Sequence, residues 1–166
     1  LLRKSYRNTV EISKFANDIL RHGDFAVYPV EPIIRHGAAV RVEKQPDATA
    51  LLEETVHTIR KWQQDGYETI AVICREEKEA AELAEQLKSY MEIVDCNPGT
   101  TEFGDGVMVL SVVYTKGLEF DAVLLYDPTQ KKYPADNGHV KLLYVAATRA
   151  LHELSLIHIS EPTRLR

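Results

Sequence analysis

Lys116, Gly117 and Glu119 stand together in a polar turn, TKGLEFD, with apolar β-branched runs on either side at residues 107–113 and 122–126. Such runs predict two buried strands joined by a connection in which charge and backbone freedom coincide. A glycine lets the backbone approach a bound group closely, and a lysine and a carboxylate beside it can orient a phosphate or a ribose. Taken alone, KGLE reads first as a solvated turn, so its chemistry depends on the company it keeps.

Two other places offer similar chemistry. Tyr6 and Arg7 directly precede a segment in which Val10, Ile12, Phe15, Ala16, Ile19 and Leu20 recur at helical spacing, with Asn8 or Thr9 as the cap and Gly23 past the end. A helix N-terminus favours an anion through its open N–H groups and dipole. Arg7 has the planar fork that phosphate rewards, and Tyr6 a flat face for a base. By themselves the two residues serve as readily as a core aromatic and a surface charge. Thr148 and Arg149 close a helix that begins near Gly138, with Leu142, Leu143, Val145 and Ala146 on its apolar face and Ala146, Ala147 and Ala150 small enough for close packing. A lone arginine there would only complement the C-terminal dipole.

The elements that must position these residues follow from periodicity. A strand is expected over residues 39–43, and a helix opened by Pro46 and Asp47 runs through about Gln64, with Leu51, Val56, Ile59 and Trp62 on its apolar side and Gly66 at its stop. Trp62 is expected to pack this helix on a sheet. TIAVIC at residues 69–74 predicts a buried parallel strand, followed by Arg75. EEKEAAELAEQLKSY predicts an amphipathic helix whose charges form a solvated face, and residues 92–96 a further strand. Strand and helix alternate, so the fold class is α/β, a parallel sheet covered by helices. In such sheets ligands collect at the carboxyl ends of the strands, where Arg75 and the TKGLE connection are expected. Residues 24–45 yield no functional reading, and His36 beside Gly37 reads as a turn residue.

Composition adds bounds. A chain of 166 residues with 45% hydrophobic content is expected to form one globular domain. Its net charge of -5 gives no broad basic footprint, so any nucleic-acid contact must use a local patch or a partner domain. Cys74 and Cys96 have no metal-type spacing and read as structural thiols in a reducing compartment. No run has the length of a membrane span and no signal peptide is visible, so the chain reads as cytoplasmic with no membrane partner.

KGLEFDAVLL followed by LLYVAATRA resembles motifs V and VI of superfamily I helicases of the UvrD/Rep type, and SYRN at residues 5–8 resembles their motif IV. The three stand in the family's order across nearly the whole chain. The lead-in SVVYTKGLEFDAV is similar to the C-terminal motor domain of the HelD branch. The resemblance implies a RecA-like domain over residues 1–154, a P-loop NTPase-type sheet between helices that lacks its own P-loop and is truncated at its N-terminus. It implies ATP as cofactor, with Mg2+ held by an N-terminal domain missing here. Tyr6 would stack on the adenine, and Arg7 and Arg149 would reach the γ-phosphate as the catalytic arginines. Gly117 and Glu119 would contact the nucleotide, Glu119 at the ribose, in coupling, or bracing the loop through Lys116. Ser111, Lys116, Tyr144 and Thr148 would serve nucleic-acid contact or coupling. The implied partners are the N-terminal RecA-like domain of the same protein, single-stranded DNA and, on the HelD-like branch, RNA polymerase.

The sequence departs from the family's T-x-H-x-x-K-G pattern, with Ser111 at the threonine and Val113 at the histidine position, and it has no room for the large subdomain often inserted between motifs IV and V. It contains no GxxxxGK[ST] loop and no apolar strand ending in an acidic pair, so the chain alone is not expected to hydrolyse ATP. An alternative of a different class is a non-catalytic interaction module docking on a protein partner. A nuclease-linked helicase subunit is a third, without a carboxylate cluster to support it. SLIHISEPTRLR, from Ser155, resembles a peptide that recurs when sequencing-adaptor DNA is translated, so residues 155–166 are expected to be a non-native tail.

Overall fold

Every residue of TIAVIC after Thr69 is buried, the pattern of a strand with both faces covered. In the computed structural model, which describes residues 8–23, 37–94 and 105–159, this strand lies in the interior of a parallel sheet. Tyr6, Arg7, His36 and Cys96 lie outside the described residues. In chain order the elements are α1 (Val10–Leu20), β1 (Arg41–Lys44), α2 (Ala48–Gln64), β2 (Thr69–Cys74), α3 (Glu77–Leu87), β3 (Gly106–Ser111), a 3-10 turn (Val112–Tyr114), β4 (Phe120–Tyr126), α4 (Asn137–Ala147) and β5 (Ala150–His158). The sheet order is β1-β5-β4-β2-β3, and all four neighbouring pairs are parallel. The α/β expectation holds.

Alternation along β2 assigns the layers. Ile70, Val72 and Cys74 pack with Leu51, Ile59 and Trp62 of α2 and Leu83 and Leu87 of α3. Ala71 and Ile73 face the other way, toward Ile12 and Ile19 of α1 and Val140 and Leu143 of α4. Trp62 therefore packs helix on sheet as its position in the sequence implied, with 1% of its surface exposed. Caps set the helix starts. Thr9 accepts from the Ile12 N–H at 3.2 Å, Asp47 from Ala50 at 2.8 Å and Asp136 from His139 at 3.0 Å. Past the end of α2, Gly66 adopts a φ of 91°, a left-handed turn that leads the chain back to β2.

Three expectations shift, and β5 runs on past Leu154. The first strand is Arg41–Lys44, two residues into the predicted span. Of the strand expected at 92–96, the described part is a single bridge from Ile93 to Val107. The run at 107–113 stops being a strand at Ser111 and turns through the 3-10 segment, because β3 has only β2 as a long partner and its register ends at Cys74–Ser111. The boundary placed at Leu154 falls inside β5. That strand continues through Ser155, Leu156, Ile157 and His158, which are buried and pair with Arg41–Lys44.

The order of the strands also separates β3 from β4, since β2 lies between them. Residues 112–119 must therefore return from the carboxyl end of β3 to the amino end of β4. They do so on the α1 and α4 side, where Val112 and Leu118 join the core.

The α2 layer depends on its largest buried side chain. Trp62→Ala is expected to cost about 3–5 kcal/mol, read as a lower denaturant midpoint with an unchanged slope. A loss below about 1 kcal/mol would mean that α2 is not held through this contact.

Candidate functional site

Thr148 and Arg149 are the whole connection between α4 and β5. Thr148 forms the C-cap of α4, its N–H donating to Tyr144 O at 3.0 Å and its hydroxyl lying 2.9 Å from Tyr144 O and 3.1 Å from Val145 O. The Arg149 side chain folds back over this turn. Its Nε donates to Val145 O at 3.0 Å, one terminal nitrogen to Leu118 O at 3.2 Å, and the other to Thr148 Oγ1 at 3.3 Å. A guanidinium has five N–H groups, so one on each terminal nitrogen stays uncommitted. Arg149 is half-buried. Burial pulls its pKa below the ordinary arginine value, while Glu119 and Tyr144 oppose that pull. Tyr144, also half-buried, is raised by burial, against the lowering effect of Arg149.

Leu118 and Glu119 belong to the returning connection, so the structure brings the TKGLE and TRA segments together at the amino ends of β4 and β5. Phe120 N–H donates to Arg149 O at 2.9 Å and fixes the junction. From the opposite side the Asn8 amide donates to Thr148 O at 3.2 Å and to Ala150 O. This corrects the expectation that TKGLE and Arg75 share the carboxyl edge. Arg75 follows β2 at that edge, whereas Glu119 meets Arg149 at the other. The reason is topological: a connection between parallel strands ends where the next strand begins. Lys116 and Gly117 lie exposed along the way, Gly117 with a φ of 80° that a residue with a Cβ rarely adopts. Ser111 stays at the carboxyl edge, 1% exposed, so it is not brought to the Arg149 site.

The same amino edge holds a cleft of about 430 Å³ that includes Thr9, Gly37, Tyr67, Asp121 and His152. The Tyr67 and His152 rings stack at 5.9 Å with 4° between their planes, and the Tyr67 hydroxyl donates to Glu153 at 3.1 Å. Asp121 accepts from the N–H groups of Glu68 and Thr69 at 2.8 and 3.1 Å, tying the start of β2 to β4. Gly37 passes so close that a Cβ there would stand 2.7 Å from Thr9 Cγ2 and 3.2 Å from His152 O.

Residues 106–157 match the UvrD-like helicase C-terminal domain. The matched segment holds β3, the returning connection, β4, α4 and nearly all of β5, and so both halves of the Arg149 site. The chain is also similar to the crystal structure of the C-terminal domain of a possible DNA helicase from Lactobacillus plantarum WCFS1, with 26% identity and a TM-score of 0.79 over 96% of this chain and 91% of that one. Comparison with the curated proteins gave no match. The helicase C-terminal match and the observed sheet agree on the fold.

One cluster at the carboxyl edge escaped the sequence. Lys132 bridges Glu79 of α3 and Asp127 after β4, the latter at 3.0 Å. Burial alone would pull the lysine down, but the hydrogen bonds and charges of Glu79 and Asp127 outweigh it and hold Lys132 above its ordinary value. Asp127 has a φ of 52° and also accepts from Ile159 N–H at 3.0 Å. Nearby, Arg75 Nε, Glu79 Oε1 and Ser111 Oγ are buried without a protein partner. Glu79 was expected on a solvated face. Its spacing of four from the buried Leu83 was the available signal.

Lys132→Met leaves two carboxylates facing each other. With the lysine a quarter exposed, the expected loss is about 2–3 kcal/mol, below the ~3–5 of a fully buried pair, read by chemical denaturation. No loss would show the triad to be incidental. Tyr67 supplies a pH test. Burial, with Glu153 next, pushes its pKa from 10.0 up to about 12. The folded state therefore keeps a proton that the unfolded chain releases first, and this contribution is complete below pH 10 and lost as pH rises toward 12. Tyr67→Phe is expected to flatten the alkaline fall in stability over that window. An unchanged slope would remove Tyr67 as its source.

Proposed function

We propose that the chain is the second motor domain of an ATP-dependent superfamily I DNA helicase or translocase, a cytoplasmic protein in which Arg149 acts across an interdomain cleft on the γ-phosphate of ATP. The observation that carries this reading is the Arg149 guanidinium: held by three hydrogen bonds, half-buried, and left with one N–H on each terminal nitrogen. A fork of that kind suits a phosphoryl group, because two parallel donors match two equatorial oxygens. When bound, ATP supplies a γ-phosphoryl whose charge redistributes during transfer. The protein's contribution is then positioning and electrostatic stabilisation.

In this reading Glu119 accepts from a ribose hydroxyl on the same edge, and Gly117 lets backbone approach the nucleotide. Tyr6 stacks on the adenine and Arg7 is the second arginine. Thr148 has its hydroxyl committed to Tyr144, Val145 and Arg149, so its part is coupling: movement at Arg149 reaches α4 and Tyr144 through it. The exposed Lys116 is assigned to the single-stranded DNA and the buried Ser111 to coupling. Among the described residues no group of three His, Cys, Asp or Glu could hold a metal ion. In this reading Mg2+ and the triphosphate belong to the N-terminal RecA-like domain, with which this one closes and opens through the hydrolytic cycle. No helix among the described residues is long and apolar enough to cross a membrane.

Val113 favours a narrower version. It is 56% exposed just past β3, where the family pattern has a histidine. A valine cannot hydrogen-bond a passing strand, and this supports a HelD-like parent that uses the motor on RNA polymerase. In the intact protein, Arg149→Ala is expected to lower ATP turnover by about 10³–10⁵, the range of arginine fingers in other systems, and Arg149→Lys to restore little because a point charge lacks the fork. Unaltered turnover in both variants would sink the motor assignment in favour of a domain that docks on a protein partner.

A further inference from the structure

Three consecutive carbonyls, those of Thr148, Arg149 and Ala150, are all taken. Phe120 N–H holds the middle one from the β4 side at 2.9 Å. The Asn8 amide holds the outer two, Thr148 O at 3.2 Å and Ala150 O. Asn8 immediately precedes Thr9, the cap of α1, and immediately follows Arg7 in the chain. One side chain thus ties the start of α1 to the turn that carries Arg149, across some 140 residues of sequence.

We propose that Asn8 is a positioning residue that clamps the backbone on both sides of Arg149. The proposal rests on the nucleotide reading above. The chemistry is specific to the side chain. A primary amide carries two N–H donors on one nitrogen, one for each carbonyl. A serine hydroxyl could satisfy only one of them, and an aspartate would set an acceptor against two acceptors. Arg149 cannot swing as a unit with its peptide, because β4 grips its carbonyl from the other face. The arrangement ties the turn that carries Arg149 to the start of α1, far away in the sequence.

The test is a double-mutant cycle in the intact protein with ATP turnover as readout, beside hydrogen exchange over residues 144–152. Asn8→Ala is expected to speed exchange in that segment and lower kcat by about 10–100-fold, the order that a 1 Å misplacement costs, with KM for ATP little changed. The isosteric Asn8→Asp should do at least as much damage, and Asn8→Gln, which keeps both donors, should recover part of the loss. In an Arg149→Ala background, Asn8→Ala should add almost nothing, since two residues acting through one group are not additive. Full additivity, or faster exchange with unchanged kcat, overturns the proposal while leaving the nucleotide reading intact. If Arg149→Ala itself leaves turnover untouched, the nucleotide reading fails and the proposal with it. Comparison of Asn8→Ala and Asn8→Asp melting temperatures separates lost folding from lost positioning.

Discussion

Parallel pairing of every strand is the constraint from which the rest of this structure follows. A parallel strand begins at the same edge as its neighbour, so each connection must carry the chain back along the whole sheet. The edge where strands begin therefore collects the ends of all these returns. Leu118 and Glu119 arrive there before β4, Thr148 and Arg149 before β5, and Gly66 and Tyr67 before β2. Residues far apart in the sequence become neighbours without any contact being selected for its own sake. Selection then has only to choose what each return delivers.

Charge is distributed between the two edges in different ways. At the carboxyl edge Lys132 is enclosed by two carboxylates, so its charge is locally balanced and serves to hold the segment after β4 against α3. At the amino edge Arg149 is held by two backbone carbonyls and one hydroxyl, all neutral acceptors. Its positive charge is oriented by neutral groups, with the Glu119 carboxylate acting on it only through its charge. A chain of net charge -5 can still present one directed cation in this way. The global balance bears on solubility and long-range attraction, and the local one on recognition.

Much of the fold was legible because burial on both faces leaves a continuous apolar run. TIAVIC matches β2 residue for residue, and Asp47 with Gly66 bracketed α2 closely. Strand order was not legible, since periodicity reports which face is buried and says nothing about which neighbour pairs. That gap placed TKGLE at the wrong edge. The turn at 112–114 was missed for a related reason: Val112 and Val113 have strand-like side chains, but Val112 is buried as a turn residue and Val113 points outward. Glu79 was read as solvated because it lies in a run of charges, and only its partner in a distant loop distinguishes it. The continuation of β5 past Leu154 shows the converse. Leu156 and Ile157 meet the demands of an interior strand, apolar side chains to both layers, whatever the origin of the segment that supplies them.

The candidate site was legible in residue type and not in mechanism. A TRA sequence at a helix end says that an arginine is present, and a C-terminal dipole accounts for it equally well. The hydrogen bonds of Arg149 extend beyond those that a dipole contact alone would use. A cation that merely complements the dipole would point its donors at the last carbonyls of the helix. Arg149 gives one donor to Val145 O in that manner, then reaches out of the helix to Leu118 O in another segment. The second bond couples the orientation of the guanidinium to the returning connection, so a displacement of residues 116–119 would turn the fork. An arginine that is both half-buried and steered by a second loop responds to what that loop touches. On the motor-domain proposal, that dependence, more than the charge itself, would let Arg149 sense a bound phosphate and pass its presence on.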